Sequence, residues 1–393
     1  MNLANDLARK TAIAGIGATE FSKDSGRSEL RLAVEAVKAA LDDAGLEPGD
    51  VDGYATFSLD NNPAIEINRH LGGGDLRFFS RIDYGGGAAC ATVMQAAMAV
   101  ATGVAHTVVC YRAMNERSQQ RFGTGVQGRH SALTTESSHF GWYMPHGLLT
   151  PASWVAMNAR RYMHETGATS EDFGRVSVAD RKHAASNPAA WFYGRPISLE
   201  DHQASRWIVE PLRLLDCCQE SDGAVAVVVT SLERARDLRQ LPAVVAGAAQ
   251  GASSEQQMMT GFYTDSITGL PEMGLVAKQL YQSAGIGPED VQTAVIYDHF
   301  TPFVLMQLEE FGFCAKGEAK HFVRDGHLEL DGRLPTNPNG GQLGEAYIHG
   351  MNGISEAVRQ VRGSAVNQVA GVEHVVVTAG TGVPTSGLLL GAA

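Results

Sequence analysis

With 393 residues the chain is long enough for two ordinary domains or two closely packed halves. Its 44% hydrophobic and 19% charged content, with 44 glycines, excludes a disordered chain and implies many tight turns and close backbone approaches. The 31 basic and 43 acidic side chains leave a formal charge of -12, which argues against a general nucleic-acid or membrane-surface partner.

Taken in chain order, the start MNLANDLARK lacks the long apolar core of a signal peptide. TAIAGIG (Thr11 to Gly17) reads as a buried strand. A helix follows, with Leu30, Val34, Val37, Leu41 and Ala44 on one face, closed by Gly45 as a left-handed cap and by Pro48. DVDGYATF is a short strand. GGGAAC leads into ATVMQAAMAVATG, a small-residue helix that must be deeply buried, and HTVVC is the strand behind it.

From about 112 to 206 the chain is richer in aromatics, histidine and arginine and less regular, so it reads as an inserted cap. Its helical stretch Ser153 to Tyr162 carries Arg160 and Arg161, with Arg181 and Lys182 beyond; their clustering alone suggests a phosphate site, against the ordinary reading as solvated surface. AVAVVV (Ala224 to Val229) is a strand, too short to span a bilayer. In the last third, LPAVVAGAA is a strand, MGLVAKQLYQSAG a helix capped by Gly285, AVIYDHF a strand, NGISEAVRQVRG a helix and HVVVTAG a strand.

Five cysteines, two of them adjacent (Cys217, Cys218), build neither a disulfide framework nor a Cys-x-x-Cys zinc pair. That usage fits a soluble protein of a reducing cytoplasm. The glycines Gly340, Gly341 and Gly344 lack the spacing of a dinucleotide fingerprint and read as a loop that approaches the site closely.

An internal echo organises these elements. AGLEPGDVDGYATF (Ala44 to Phe57) returns as AGIGPEDVQTAVIYDHF (Ala284 to Phe300), and GVAHTVVC (Gly103 to Cys110) returns as GVEHVVVT (Gly371 to Thr378). Two matched segments in the same order imply a duplicated α/β unit. The halves are expected at 1–239, including the cap, and 240–393.

Duplicated halves, a buried glycine-rich helix start and a central cap resemble the thiolase superfamily, in its sterol-carrier-protein-X and lipid-transfer-protein form. The phrases that carry the resemblance are LLDCCQESDGAVAVVVTS (Leu214 to Ser231), AGIGPEDV, YDHFTPFVLMQLEEFGFCAKGEA (Tyr297 to Ala319) and NPNGGQLGEAYIHGMNG (Asn337 to Gly353). The resemblance implies a thiolase-like fold of two duplicated halves in a layered α/β/α/β/α core with an inserted cap, and a homodimer.

The chain departs from the family where the chemistry sits. The acylated cysteine at the buried helix start falls near Gly86, and the acid/base cysteine at the last strand's end falls on Thr378. The histidine of the Gly-His-Pro motif falls on Tyr347, and the Asn-Glu-Ala-Phe motif reads Tyr-Asp-His-Phe from Tyr297 to Phe300. Such a pair of tyrosines resembles the thiolase-like aldolases of bacterial steroid side-chain degradation. Those enzymes cleave a branched steroid acyl-CoA carrying a tertiary β-hydroxyl into a ring ketone and propionyl-CoA, beside a small partner with OB-fold and zinc-ribbon character.

That chemistry needs a group to take the β-hydroxyl proton, a sink for enolate charge and an acid for the enolate. The expected proton-transfer pair is Tyr297 and Tyr347, with His299 and His349, each two residues on, as helpers. A free phenol has a pKa of about 10, so a tyrosine base needs a neighbouring donor or cation. No cofactor is expected beyond the CoA thioester that is the substrate. Ligand types for a metal occur at Asp298, His299, Glu345 and His349, but in no dense metal motif, and Asp298 reads better as structural. Two alternatives remain: a thiolase or acyltransferase using Cys90, otherwise a small packing residue, and a non-catalytic acyl-CoA- or lipid-binding subunit.

Overall fold

The computed structural model describes residues 7–119, 121, 123, 141, 143–257 and 264–393. The extreme amino terminus and most of 120–142, within the expected cap, lie outside the described residues.

In chain order the core begins with strand β1 (Thr11–Ala18) and helix α1 (Glu29–Ala44). The Ser28 side chain accepts the Arg31 N–H at the start of α1, and Gly45, at φ 75°, closes it in the left-handed conformation. Leu32, Val37, Leu41 and Ala44 are buried along one face. Each large apolar side chain so buried contributes roughly 1.5–3 kcal/mol. Then come β2 (Gly53–Phe57), α2 (Ala64–Leu71), β3 (Phe78–Ile82), α3 (Ala89–Ala101) and β4 (Thr107–Asn115). The cap follows as α4 (Pro151–Thr166), α5 (Ser170–Ser186), α6 (Leu199–Ala204) and the hairpin β5 (Trp207–Val209) with β6 (Leu212–Arg213). The chain returns through β7 (Asp222–Ser231), then β8 (Ala243–Gly251), α7 (Pro271–Ala284), β9 (Thr293–Val295), α8 (Thr301–Glu310), α9 (Met351–Arg362), β10 (His374–Thr378) and β11 (Thr385–Gly391).

Among the described residues, nine strands form one sheet in the order β3-β2-β4-β7-β1-β8-β11-β10-β9. Outward from the β1–β8 junction the two arms repeat each other. β1 and β8 pair antiparallel with β7 and β11; these pair antiparallel with β4 and β10, which pair parallel with β2 and β9. The sequence echo lies on α1–β2 against α7–β9 and on β4 against β10, matching positions in the two arms.

Helices α3 and α9 lie between the arms, with α3 touching β2, β4 and β7 on one side and β8 and β11 on the other. The alanine-rich surface of α3 permits that approach from both sides: Ala89, Ala91, Ala96 and Ala97 are buried. Outside, α1 packs on β1, β4 and β7, and α7 on β8 and β11. This is the layered α/β/α/β/α core that the sequence implied.

Two sequence expectations need correction. The segment AVIYDHF is strand only as far as Val295, because the main-chain N–H groups of Ile296 and Tyr297 turn to the side chains of Asn337 and Thr378, both at 2.8 Å. β4 runs through Arg112 to Asn115, into the range given to the cap, because β7 pairs with it as far as Asp222. The basic cluster also dissolves. Arg160 pairs with Glu210 and Arg161 with Glu165, Lys182 pairs with Glu329, and Arg181 stacks on Phe192 and donates to the Arg195 carbonyl.

Candidate active site

The site lies where the ends of both arms meet the helical turn Gly85–Ala88 that leads into α3. Tyr297 follows the end of β9, and its backbone is clamped by three hydrogen bonds. Its N–H donates to Thr378 Oγ1 at 2.8 Å, Thr378 donates to Gln307 Oε1 at 2.6 Å, and Gln307 Nε2 donates back to the Tyr297 carbonyl at 2.9 Å. All three residues are buried. Thr378, where the family's acid/base cysteine was expected, thus acts on the backbone of Tyr297.

Tyr347 stands in the loop after the single helical turn Gly341–Gly344, with its N–H donating to Ser221 Oγ at 3.1 Å. The two phenol oxygens are 3.2 Å apart and the rings meet edge to face. The structure therefore brings together the two tyrosines that the sequence placed fifty positions apart.

Gly86 holds the third corner. A Cβ there would overlap the hydroxyl and ring of Tyr297. A side chain at this position and the observed tyrosine exclude one another, so no cysteine could stand there without displacing Tyr297. Cys90 does not replace it. It is in the first turn of α3, fully buried, with its thiol on the Val377 carbonyl and its pKa pushed up by burial. A thiol so enclosed is a packing residue.

Burial holds both phenols well above the ordinary tyrosine range, although the hydrogen bond between them eases the shift at Tyr297. Both are neutral at physiological pH. The neighbouring histidines are neutral as well. Burial pushes His299 down to about 3, and burial followed by the Arg112 charge holds His349 well below its usual value. The His299 ring packs edge-on against Tyr297, with centroids 4.8 Å apart, and its buried Nδ1 has no hydrogen-bond partner. The His349 ring stands perpendicular to Tyr347 at 5.1 Å. Of the two kinds of helper expected beside a tyrosine, a donor or a cation, these neutral rings fit the donor, since burial disfavours the charged imidazole.

Asp298 accepts the N–H groups of Gln342 and Leu343 at 2.8 and 2.9 Å. Gly341, at φ 60°, is required for this approach, since a Cβ there would run into the Asp298 carboxylate. Glu345 is held by Asn187, Asn339 and Asn352. Both carboxylates have pKa values raised by burial, and both brace the loop that carries Tyr347.

Sequence reasoning missed Arg112, Asp60, Gln307 and Glu116. Arg112 is buried in β4, where it pairs with Asp60 at 3.0 Å and donates from Nε to His349 Nδ1 at 3.1 Å. Glu116, also buried, is a negative charge that raises both phenols. A signal existed for two of them. Arg112 interrupts an apolar strand, and Gln307 interrupts the apolar run FVLM of α8; a polar group at such a place is retained only with a partner.

A five-layered duplicated fold with its candidate site at these loop ends defines the thiolase class, here with Gly86 and Thr378 at the positions expected for the cysteines. The chain belongs to the thiolase superfamily: residues 8–233 match the thiolase N-terminal domain and residues 251–389 the thiolase C-terminal domain-like family. It is 68% identical over 386 residues to a steroid side-chain-cleaving aldolase of Thermomonospora curvata, covering 98% of this chain and 99% of that one. It is 67% identical over 389 residues to the 17-hydroxy-3-oxo-4-pregnene-20-carboxyl-CoA lyase of Mycobacterium tuberculosis, covering 98% and 100%. A solved structure of an Ltp2-ChsH2(DUF35) aldolase superposes with a TM-score of 0.94 at 66% identity, covering 98% of each chain.

Proposed function

We propose that this protein is a carbon–carbon lyase that cleaves a steroid side-chain acyl-CoA with a tertiary β-hydroxyl, by retro-aldol chemistry, into a ring ketone and propionyl-CoA. The observation that carries this reading is the pair of neutral phenols 3.2 Å apart in the space of the missing nucleophile. The names of the relatives at 67–68% identity agree with it.

The reaction moves one proton from oxygen to carbon with no net gain or loss, so two neutral phenols suffice. The β-hydroxyl gives its proton to one tyrosine as the bond between Cα and Cβ breaks. Its electron pair passes into the thioester as an enolate, and the β-carbon becomes the ketone. The first tyrosine passes its own proton to the second, and the second protonates Cα. A buried site favours this concerted exchange over a charged intermediate on either phenol. No acyl-enzyme is expected, because Gly86 and Thr378 stand where the family's two cysteines fall and the Cys90 thiol is enclosed in the core.

The protein works without a cofactor of its own, in the cytoplasm. A partner of OB-fold and zinc-ribbon character completes the complex; the similar Ltp2-ChsH2(DUF35) aldolase supports a heteromeric assembly. The core is a homodimer joined along β3, the open edge of the sheet. Phe79 on that strand is 70% exposed and Ile65 of α2 is 64% exposed, an apolar edge that calls for a cover. Among the described residues no helix is long and apolar enough to cross a membrane.

The test is mass spectrometry of the chain, with its partner, on a steroid acyl-CoA bearing the tertiary hydroxyl. Equimolar ketone and propionyl-CoA are expected, and Tyr297→Phe and Tyr347→Phe should each cost about 10²- to 10⁴-fold in kcat with folding intact. Full turnover by both variants would remove the tyrosines from the mechanism. Ligand binding without cleavage would make the chain a binding subunit.

A further inference from the structure

We infer that Arg112 is a positioning residue for this lyase, holding His349 as a neutral ring with its proton on Nε2 so that this N–H donates to the thioester oxygen as enolate charge builds there. The inference rests on the reaction proposed above, and it starts from the bonding of a single guanidinium.

Arg112 is 3% exposed in β4, opposite Val225 of β7. Its NH1 donates to Asp60 Oδ2 at 3.0 Å and to the Ala113 carbonyl at 2.9 Å, and the same Asp60 oxygen accepts the Ala113 N–H at 2.9 Å. These bonds fix the plane of the group and leave Nε–H aimed at His349 Nδ1, 3.1 Å away. A guanidinium only donates, so Nδ1 must present its lone pair. A neutral imidazole whose Nδ1 accepts carries its proton on Nε2. A doubly protonated ring would set one N–H against another.

The backbone points the same way. His349 has φ 48°, a left-handed conformation that L side chains rarely adopt, and it is followed by Gly350 at φ 84°. Strain at a single residue persists where the surrounding structure holds it for a purpose. Here the turn swings the ring between Phe57, 5.8 Å away, and Tyr347, 5.1 Å away. The ring is thus delivered to the reacting phenol with its acceptor nitrogen turned inward to Arg112. A cation bonded behind the ring polarises the far N–H, and a fixed dipole in a dry site stabilises developing oxyanion charge without rearrangement.

The experiment uses the full chain with nitrogen-15-labelled histidine. His349 Nδ1 should resonate as an unprotonated, accepting nitrogen and Nε2 as a protonated one, with the signals assigned by His349→Gln. In the double variant Arg112→Met with Asp60→Asn, which removes both charges and leaves no buried ion unpaired, that preference should relax. Its kcat should fall about 10- to 100-fold with little change in KM, as expected when a contact made in the transition state is weakened. His349→Gln, which retains an N–H near the same place, should keep more turnover than His349→Leu. If the double variant does not fold, Arg112→Lys keeps the charge beside Asp60 without Nε, and the same two readings decide. A wild-type ring protonated on Nδ1 overturns the inference, as does a folded variant with both wild-type tautomer and wild-type kcat. Absence of cleavage by the unaltered protein would instead sink the reaction, while the resonances would still decide the tautomer.

Discussion

The hydroxyl of Tyr297 occupies the space into which any side chain at Gly86 would project. Glycine and tyrosine are coupled in physical terms: the absence of a side chain at position 86 leaves the room that the phenol fills.

Gly86→Ala follows directly. The added methyl meets the buried Tyr297 ring, which is clamped by Thr378 and Gln307 and cannot retreat. Overpacking of this kind costs about 1–3 kcal/mol. A lower melting temperature and severe loss of turnover are expected; unchanged calorimetry and kinetics would mean that Tyr297 is freer than described.

Thr378 can be tested through its hydroxyl. Thr378→Val keeps the shape but leaves the Tyr297 N–H and Gln307 Oε1 without their partner. An unsatisfied buried group costs about 1–3 kcal/mol. Denaturant titration should register that loss, and kcat should fall as the phenol drifts. Thr378→Ser should restore both, whereas equal damage from serine would assign the effect to packing.

The pH profile should be flat where histidine normally titrates. Burial lowers His299 to about 3 and depresses His349, so neither gains a proton as pH falls through the ordinary value of about 6.5. The phenols, raised by burial, lose no proton below about pH 10. A limb in kcat/KM centred near 6.5 would show a charged histidine at work. Stability has a definite sign here. Between about 3 and 6.5 the unfolded chain binds more protons at His299 than the folded one, so stability rises with pH across that window. His299→Gln should reduce the slope.

Cys90 offers a negative control. Its sulfur is fully buried and its proton is held tightly, so iodoacetamide should leave it unmodified in the folded protein. Cys90→Ala should retain turnover. A covalent adduct on Cys90 formed from substrate would return the chemistry to an acyl-enzyme.

The sequence by itself determined most of the elements and singled out Tyr297 and Tyr347 as candidates for the chemistry. Helix α1 announces itself through a Ser28 cap, apolar positions at helical spacing and Gly45, all within reach of local backbone physics. The echo of β4 in β10 follows from repeated apolar runs, and the two tyrosines stand in phrases that can be aligned by eye. Helix α8 escaped notice for a physical reason: Thr301 to Glu309 are all buried, so it has no polar face and no amphipathic period to detect. What only the tertiary structure decided was contact and charge state. Arg112 and His349 are 237 positions apart, and Thr378 and Gln307 are 71 apart; no periodicity marks such pairs. Nor could sequence show that His299 and the phenols would be neutral. Those states follow from the desolvation that arises when the two arms of the sheet, a buried helix and a cap close around them.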